Sequence, residues 1–155
     1  MRVDVFITKL NTAGDDIIYS TYLAGDDDEC GYAIAIDVNK CVYVTGFTKS
    51  NNYPIKNYFQ KRSDISHDGH YELDVIVTKL NSDGNDIIYS TYLGGATWDF
   101  GYSIAVDKSC NTYVTGTTDS KNFPIKNYIQ EESGGHNDAF VTVLKSTGDK
   151  LISST

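Results

Sequence analysis

The sequence predicts an all-β protein assembled from a repeated unit. Residues 4–60 and 74–130 align without a gap, and 34 of these 57 positions are identical. Residues 138–155 begin the same unit a third time. β-branched and aromatic residues dominate four short runs in each unit, whereas no segment carries an extended apolar stripe at helical spacing. Sequence repeats of this length are typical of arrays in which neighbouring units bury each other's apolar faces.

Each unit is predicted to contain four strands, and in the second unit they lie at 75–80, 87–93, 102–106 and 112–117. The segments within each strand pair are short and rich in turn residues, which favours antiparallel hairpins. We expect a positive φ at Gly84 and at its counterparts in the other units. The run at 75–80 is apolar on both faces, as in a sheet that is covered on both sides.

The third strand of each unit indicates how these sheets are arranged. In the run Ala33-Ile34-Ala35-Ile36, small side chains occupy one face and large ones the other. Small residues suit a strand at which packed sheets converge. Four-stranded units stacked radially, with the tightest packing near an axis, describe a β-propeller.

Several motifs, in the same order along the chain, resemble the bacterial SBBP beta-propeller repeat. They are IYSTYLGG at 88–95, GYSIAVD at 101–107, NTYVTG at 111–116, NFP at 122–124 and DAFVT at 138–142. The resemblance covers nearly the whole chain and implies a blade common in bacterial extracellular and surface proteins. It therefore implies an extracellular or cell-surface location, although the chain shows no signal peptide, and it assigns no catalytic residue.

The resemblance also implies a blade register, in which the strand at 32–37 is innermost. The chain then divides into an outer half-blade at 4–23, a blade at 32–93 and a blade at 102–155, which makes an incomplete propeller of about two and a half blades. A propeller closes with about four to eight blades. A ring of identical chains would contain a surplus outer strand pair from each copy and no spare inner pair to complete it. We therefore expect the chain to be part of a longer repeat protein. Its partners would be further blades of the same parent chain or copies that self-associate.

Composition and cysteine positions exclude several classes of protein. The net charge is −8, with 13 basic and 21 acidic residues, so a nucleic-acid binder is not expected. No apolar run is long enough to span a membrane. Cys30, Cys41 and Cys110 do not occupy equivalent repeat positions, which favours three free thiols. A bridge between Cys41 and Cys110 is the alternative.

An acidic loop is one of the places where the two complete units differ. Asp26, Asp27, Asp28 and Glu29 stand where the second unit has Ala-Thr-Trp-Asp at 96–99. Clustered carboxylates suit Ca²⁺, which is the one cofactor the sequence suggests. The spacing is not that of an EF-hand, and a solvated acidic loop is the alternative.

Two further sites are suggested by residues that the units do not share. Trp98, the single tryptophan, adjoins Asp99, and together they can stack on and hydrogen-bond a sugar. Packing between blades is the alternative for Trp98. Glu29, the counterpart of Asp99, is a third candidate for ligand binding. The first unit also has a six-residue insertion, and near it His67 and His70 lie three residues apart, a spacing that can bind a metal ion. A solvated loop is the alternative.

These features predict a non-catalytic interaction module that binds protein or glycan. We find no nucleophile elbow, phosphate-binding loop or paired cysteine and histidine in the sequence. Carboxylates are abundant, so a fragment of a propeller enzyme, of the glycoside hydrolase or lyase type, is the alternative.

Overall fold

The computed structural model describes residues 2–62 and 72–155, and in these ranges the chain forms strands and no helix. The strands are β1 (Val5–Leu10), β2 (Ile17–Leu23), β3 (Glu29–Ile36), β4 (Val42–Thr48), β5 (Asp74–Leu80), β6 (Ile87–Leu93), β7 (Asp99–Val106), β8 (Thr112–Thr118), β9 (Asp138–Leu144) and β10 (Leu151–Ser154). Accordingly, the described part of the chain offers no helix capable of crossing a membrane.

The strands form three antiparallel sheets. Strands β1 and β2 pair with each other, and we call this sheet the half-blade. The first blade has the order β3-β4-β5-β6, and the second blade has the order β7-β8-β9-β10. This arrangement confirms the all-β class and the four-stranded antiparallel sheets.

The inner strands β3 and β7 begin three residues earlier than the sequence predicted. The register shifts between Gly31 and Ala33, so that Tyr32 has no partner on β4, and the same shift recurs around Tyr102. Pairing then continues to Glu29, opposite Thr48. Such a bulge interrupts the alternation of side chains. The sequence pattern therefore located only the regular part of each strand.

The sheets stack through two opposite faces. On the first blade, the front face carries Ile76 and Leu80, which pack against Val5 and Ile7 of the half-blade. The back face of the first blade carries Val75, Val77 and Tyr43. It packs against the front face of the second blade in a second core, which includes Val114, Phe140 and Leu144. Each internal boundary thus joins the back face of one unit to the front face of the next.

A tyrosine and a glycine meet at both of these boundaries. The ring of Tyr19 lies against Gly84, and the ring of Tyr89 lies against Gly148. These glycines have φ values of 69° and 77°, which confirms the expected positive φ. A side chain here would be strained and would also collide with the ring. The turns are therefore part of the stacking surface.

The repeated segment after each inner strand pair docks on the blade edge. Backbone bridges join Lys56 to Ser90 in the first blade and Lys126 to Ser154 in the second. Tyr53 is buried, and its hydroxyl lies 2.9 Å from the Thr78 hydroxyl.

All three cysteines are free thiols, as the sequence favoured.

Candidate functional site

Glu29 and Asp99, the counterpart carboxylates of the two differing loops, are buried and hold their own loops. Glu29 accepts hydrogen bonds from the Thr48 hydroxyl at 2.6 Å and from the Gly25 N–H at 2.9 Å. Asp99 accepts hydrogen bonds from the Gly95 N–H at 2.8 Å and from the Ser120 hydroxyl at 2.9 Å. The structure therefore gives both predicted site residues contacts inside the protein, where they close the turn before an inner strand.

The other acidic residues of the first loop do not converge with Glu29. Asp28 pairs with Lys49 at 2.9 Å, and this hydrogen bond, helped by the Val3 N–H, lowers the pKa of Asp28. Asp26 and Asp27 are held through their backbone N–H groups, which donate to side chains of the neighbouring turn. In residues 2–62 and 72–155 no three acidic, histidine or cysteine residues group to hold a metal ion. The geometry thus adds no support to the calcium hypothesis.

Trp98 is exposed, but its neighbour Asp99 points into the protein. The backbone carbonyl of Trp98 accepts a hydrogen bond from Asp119 at 3.0 Å, which fixes the loop under an outward-facing indole. The two side chains do not face one ligand together, and a role for Trp98 alone stays a prediction. His67 and His70 lie outside the described residues.

An aromatic cluster lies across the boundary between the two complete blades. We use this name for Tyr32, Phe47, Phe100 and Tyr102. The ring centroid of Tyr32 lies 5.8 Å from Phe47 and 5.5 Å from Tyr102. Phe100 lies 5.5 Å from Phe47 and 6.0 Å from Tyr102, with which it is stacked. The four rings thus form a closed circuit of contacts.

The bulges explain why this cluster faces outward. Tyr32 and Tyr102 are the two residues skipped by the strand pairing, so the bulge rather than the pleat sets their direction. Both tyrosines are exposed, and the two phenylalanines are partly so. The Tyr102 hydroxyl lies 3.4 Å from Thr117 Oγ1. Desolvation raises the pKa of Tyr32, so its hydroxyl stays protonated near neutral pH.

The sequence did not indicate this cluster, because Tyr32 and Tyr102 are identical counterparts whereas the predicted sites lie where the units differ. A signal was nevertheless present, since Phe47 replaces Thr117 in the first unit and Phe100 replaces Cys30 in the second. Each unit contributes one phenylalanine, Phe47 from β4 and Phe100 from β7. Only the stacking of the blades brings the two rings together.

A second unpredicted feature is a buried acid pair, Asp74 and Asp99. Both are fully buried, and a Cβ at Gly94 would collide with Asp74 Oδ1 and lie 2.7 Å from Asp99 Oδ2. Arg62 approaches Asp74 at 3.5 Å, yet neither Asp74 oxygen has a hydrogen-bond partner in the described residues. Burial, with a smaller contribution from Asp99 and Glu72, raises the pKa of Asp74 to about 7. Burial likewise raises that of Asp99 to about 6.

The comparison with known families agrees with this architecture. Residues 88–124 match the SBBP family, described as a beta-propeller repeat. The matched SBBP segment runs from β6 of the first blade through β7 and β8 of the second, so it includes Phe100 and Tyr102 of the aromatic cluster. No curated protein matches the chain.

Proposed function

We propose that this SBBP chain is a non-catalytic interaction module, and that its aromatic cluster binds a glycan or protein ligand. The observation that carries the proposal is the outward-facing circuit of four rings on the inner hairpins. Aromatic rings concentrated on a surface are unusual unless they contact a partner. The cluster combines two phenol hydroxyls with apolar ring faces, which suits ligands that are themselves amphipathic.

A sugar has this amphipathic character. The C–H face of a pyranose can stack on a tyrosine ring, while its hydroxyls exchange hydrogen bonds with Tyr32, Tyr102 and Thr117. None of the cluster residues is charged, which favours a neutral ligand over an ionic one. A tyrosine-rich protein surface would use the same groups, so the assay includes both ligand classes.

The location of the acids supports binding over catalysis. Asp74 and Asp99 are the closely placed carboxylates with raised pKa values, a property often found in catalytic acids. Both are fully buried beneath the blade boundary. A substrate would have to open the blade stack to reach them, so they are better explained as part of the packing.

We further propose that the module works in a larger assembly outside the cell or on its surface. Further blades of the same parent chain or self-association would supply the assembly. The location is supported by the resemblance to surface proteins described above. Protease treatment of intact cells that make the parent protein tests it, because the SBBP segment should be cleaved, whereas its survival would contradict the location.

The binding proposal is tested by screening the chain against a glycan array and against extracellular matrix proteins. For any ligand found, Tyr32→Ala and Tyr102→Ala should each weaken binding at least tenfold, equivalent to about 1.4 kcal/mol. Tyr128→Ala is the matched control, because Tyr128 is also an exposed tyrosine but lies outside the cluster. Trp98→Ala examines the alternative site.

Equal losses in the cluster variants and in Tyr128→Ala would reject the aromatic cluster as the binding site. A loss confined to Trp98→Ala would transfer the proposal to that loop. Circular dichroism and thermal melts of every variant separate a binding defect from a folding defect.

A further inference from the structure

The two outer sheets carry opposite halves of an interface that the chain already forms twice. At each internal boundary, the back face of one unit packs against the front face of the next. The half-blade has its back face covered and its front face open. The second blade has its front face covered and its back face open.

The open front face of the half-blade is apolar at the positions that form both internal cores. Phe6 is 68% exposed, whereas its counterparts Ile76 and Phe140 are 0% and 1% exposed. Leu10 is likewise exposed, while its counterpart Leu80 is buried. The half-blade therefore presents, to solvent, side chains of the type that the other two front faces bury.

The open back face of the second blade shows the same contrast. Val141 is 48% exposed, whereas its counterpart Val77 in the first blade is 0% exposed. Tyr113 is also exposed, although its counterpart Tyr43 is completely buried against the second blade. The residues of both open faces thus have counterparts that are buried at an internal boundary, and these boundaries show which face packs against which.

The glycine turn of the open front face has no ring against it. Gly84 and Gly148 receive the rings of Tyr19 and Tyr89 from the preceding unit, but among the described residues nothing lies within 4 Å of a Cβ at Gly14. The second blade carries Ser153 at the position of Tyr89. A contact between two copies would therefore use the apolar faces, without the tyrosine–glycine contact of the internal boundaries.

We propose that the chain self-associates head to tail, with the back face of the second blade docked on the half-blade front face of a second copy. The surplus outer strand pair does not prevent this contact, because the contact joins faces rather than strand edges. The internal boundary between the half-blade and the first blade is a precedent, since the half-blade packs there without inner strands of its own.

A head-to-tail contact uses two different surfaces of the same molecule. Each copy keeps one open face after docking, so the assembly grows with concentration unless the ring closes. This inference does not depend on the aromatic cluster or on any ligand.

Sedimentation velocity over a concentration series tests the proposal with two variants at exposed positions, Phe6→Glu and Val141→Glu. Each variant destroys one face and keeps the other. We expect the unmodified chain to associate as its concentration rises, and each variant to remain a monomer at concentrations where the unmodified chain associates. Val38→Glu is the control, because Val38 is an exposed apolar residue in the β3–β4 turn, outside both faces.

The decisive sample is an equimolar mixture of Phe6→Glu and Val141→Glu. Phe6→Glu keeps an intact back face, and Val141→Glu keeps an intact front face. The two can therefore dock once, and the mixture should form a 1:1 dimer and nothing larger. A mixture that stays monomeric, or single variants that associate like the unmodified chain, would overturn head-to-tail docking. Ligand binding by Phe6→Glu remains as a separate readout, so the failure of one proposal is distinguishable from the failure of the other.

Discussion

The first blade and the half-blade place identical residues in opposite environments. Tyr92 in β6 and Tyr22 in β2 occupy the same repeat position, yet Tyr92 is 1% exposed and Tyr22 is 74% exposed. The local sequence around them is the same Ser-Thr-Tyr-Leu. Tyr92 is buried by Ser50 and Tyr53, which belong to the segment that docks on the edge of the first blade. Burial in this chain is therefore decided by the elements packed beside a strand pair and not by its local sequence.

A pair of aspartates extends this comparison from packing to acid–base chemistry. Asp74 begins β5 and its counterpart Asp4 directly precedes β1, but only Asp74 is buried beside a second carboxylate. In the first unit, Glu29 replaces Asp99 and Ala24 replaces Gly94. Burial, with a smaller contribution from Asp99 of the second blade, thus raises the pKa of Asp74.

The largest expected effect comes from truncating the buried member of the tyrosine pair. Tyr92→Ala should lower the free energy of unfolding by about 4 kcal/mol, because it opens a cavity and leaves the Ser50 carbonyl without its 2.8 Å hydrogen bond. Tyr22→Ala should change it by less than about 0.5 kcal/mol. Urea unfolding monitored by circular dichroism measures both, and similar values for the two variants would refute the assigned burial.

A buried ion pair provides the next comparison. Asp37 lies 3.3 Å from the Lys79 ammonium and accepts a hydrogen bond from Tyr43 at 2.9 Å. Asp37→Ala should destabilise the chain by about 3 kcal/mol, because it leaves a buried lysine without its carboxylate. In the second blade the counterpart of Asp37 is Asp107, and Val143 occupies the position of Lys79.

We therefore expect Asp107→Ala to destabilise the chain clearly less than Asp37→Ala, mainly through the lost turn hydrogen bonds. Denaturant unfolding of the two variants side by side is the appropriate measurement. Equal losses would show that the Lys79 pair does not distinguish the blades.

Stability should fall as pH rises from about 4 to about 8. Folding raises the pKa of Asp74 from 3.8 to about 7, so between these values the unfolded chain releases a proton that the folded chain retains. As the pH rises through this range, the free energy of unfolding should fall by on the order of 2 kcal/mol. Arg62 opposes the effect, whereas Asp99 and Glu72 enhance it.

Asp74→Asn should raise stability at pH 8 and flatten this part of the pH profile, and thermal melts across the range would show it. Asp4→Asn changes the exposed counterpart and should leave the profile intact. A steep profile that survives in Asp74→Asn would exclude Asp74 as its source.

The smallest expected difference comes from the turn glycines. Gly14→Ala should cost about 1 kcal/mol, because its φ of 77° disfavours a side chain. Gly84→Ala has the same backbone penalty and adds a collision with the Tyr19 ring, so it should cost about 1 kcal/mol more. Calorimetric melting temperatures resolve this margin, and its absence would mean that the turn is not part of the stacking surface.

The fold was predictable because the repeat states the same pattern twice. Strand positions, hairpin turns and the positive φ at Gly84 all followed from local composition and spacing. The early starts of β3 and β7 did not follow, since the bulges at Tyr32 and Tyr102 break the alternation on which strand prediction depends.

The site residues were less predictable because their environment is set across blade boundaries. Asp99 is next to Trp98 in sequence, which suggested a shared ligand, but β7 turns the carboxylate towards Asp74 of the preceding blade. The contact between Phe47 and Phe100 likewise joins residues of two sheets. Neither relation is encoded in local spacing, because each depends on how the sheets stack.

Whether packed neighbours decide which tyrosines are buried is tested by hydroxyl-radical footprinting in dilute solution and at increasing concentration. We expect Tyr22 and Tyr113 to be modified rapidly in dilute samples, while Tyr43 and Tyr92 are protected at every concentration. Tyr113 should become protected as the chain associates, because its counterpart Tyr43 is buried against the next blade. Equal modification of all four tyrosines in dilute solution would show that the packing of neighbouring elements does not decide their burial.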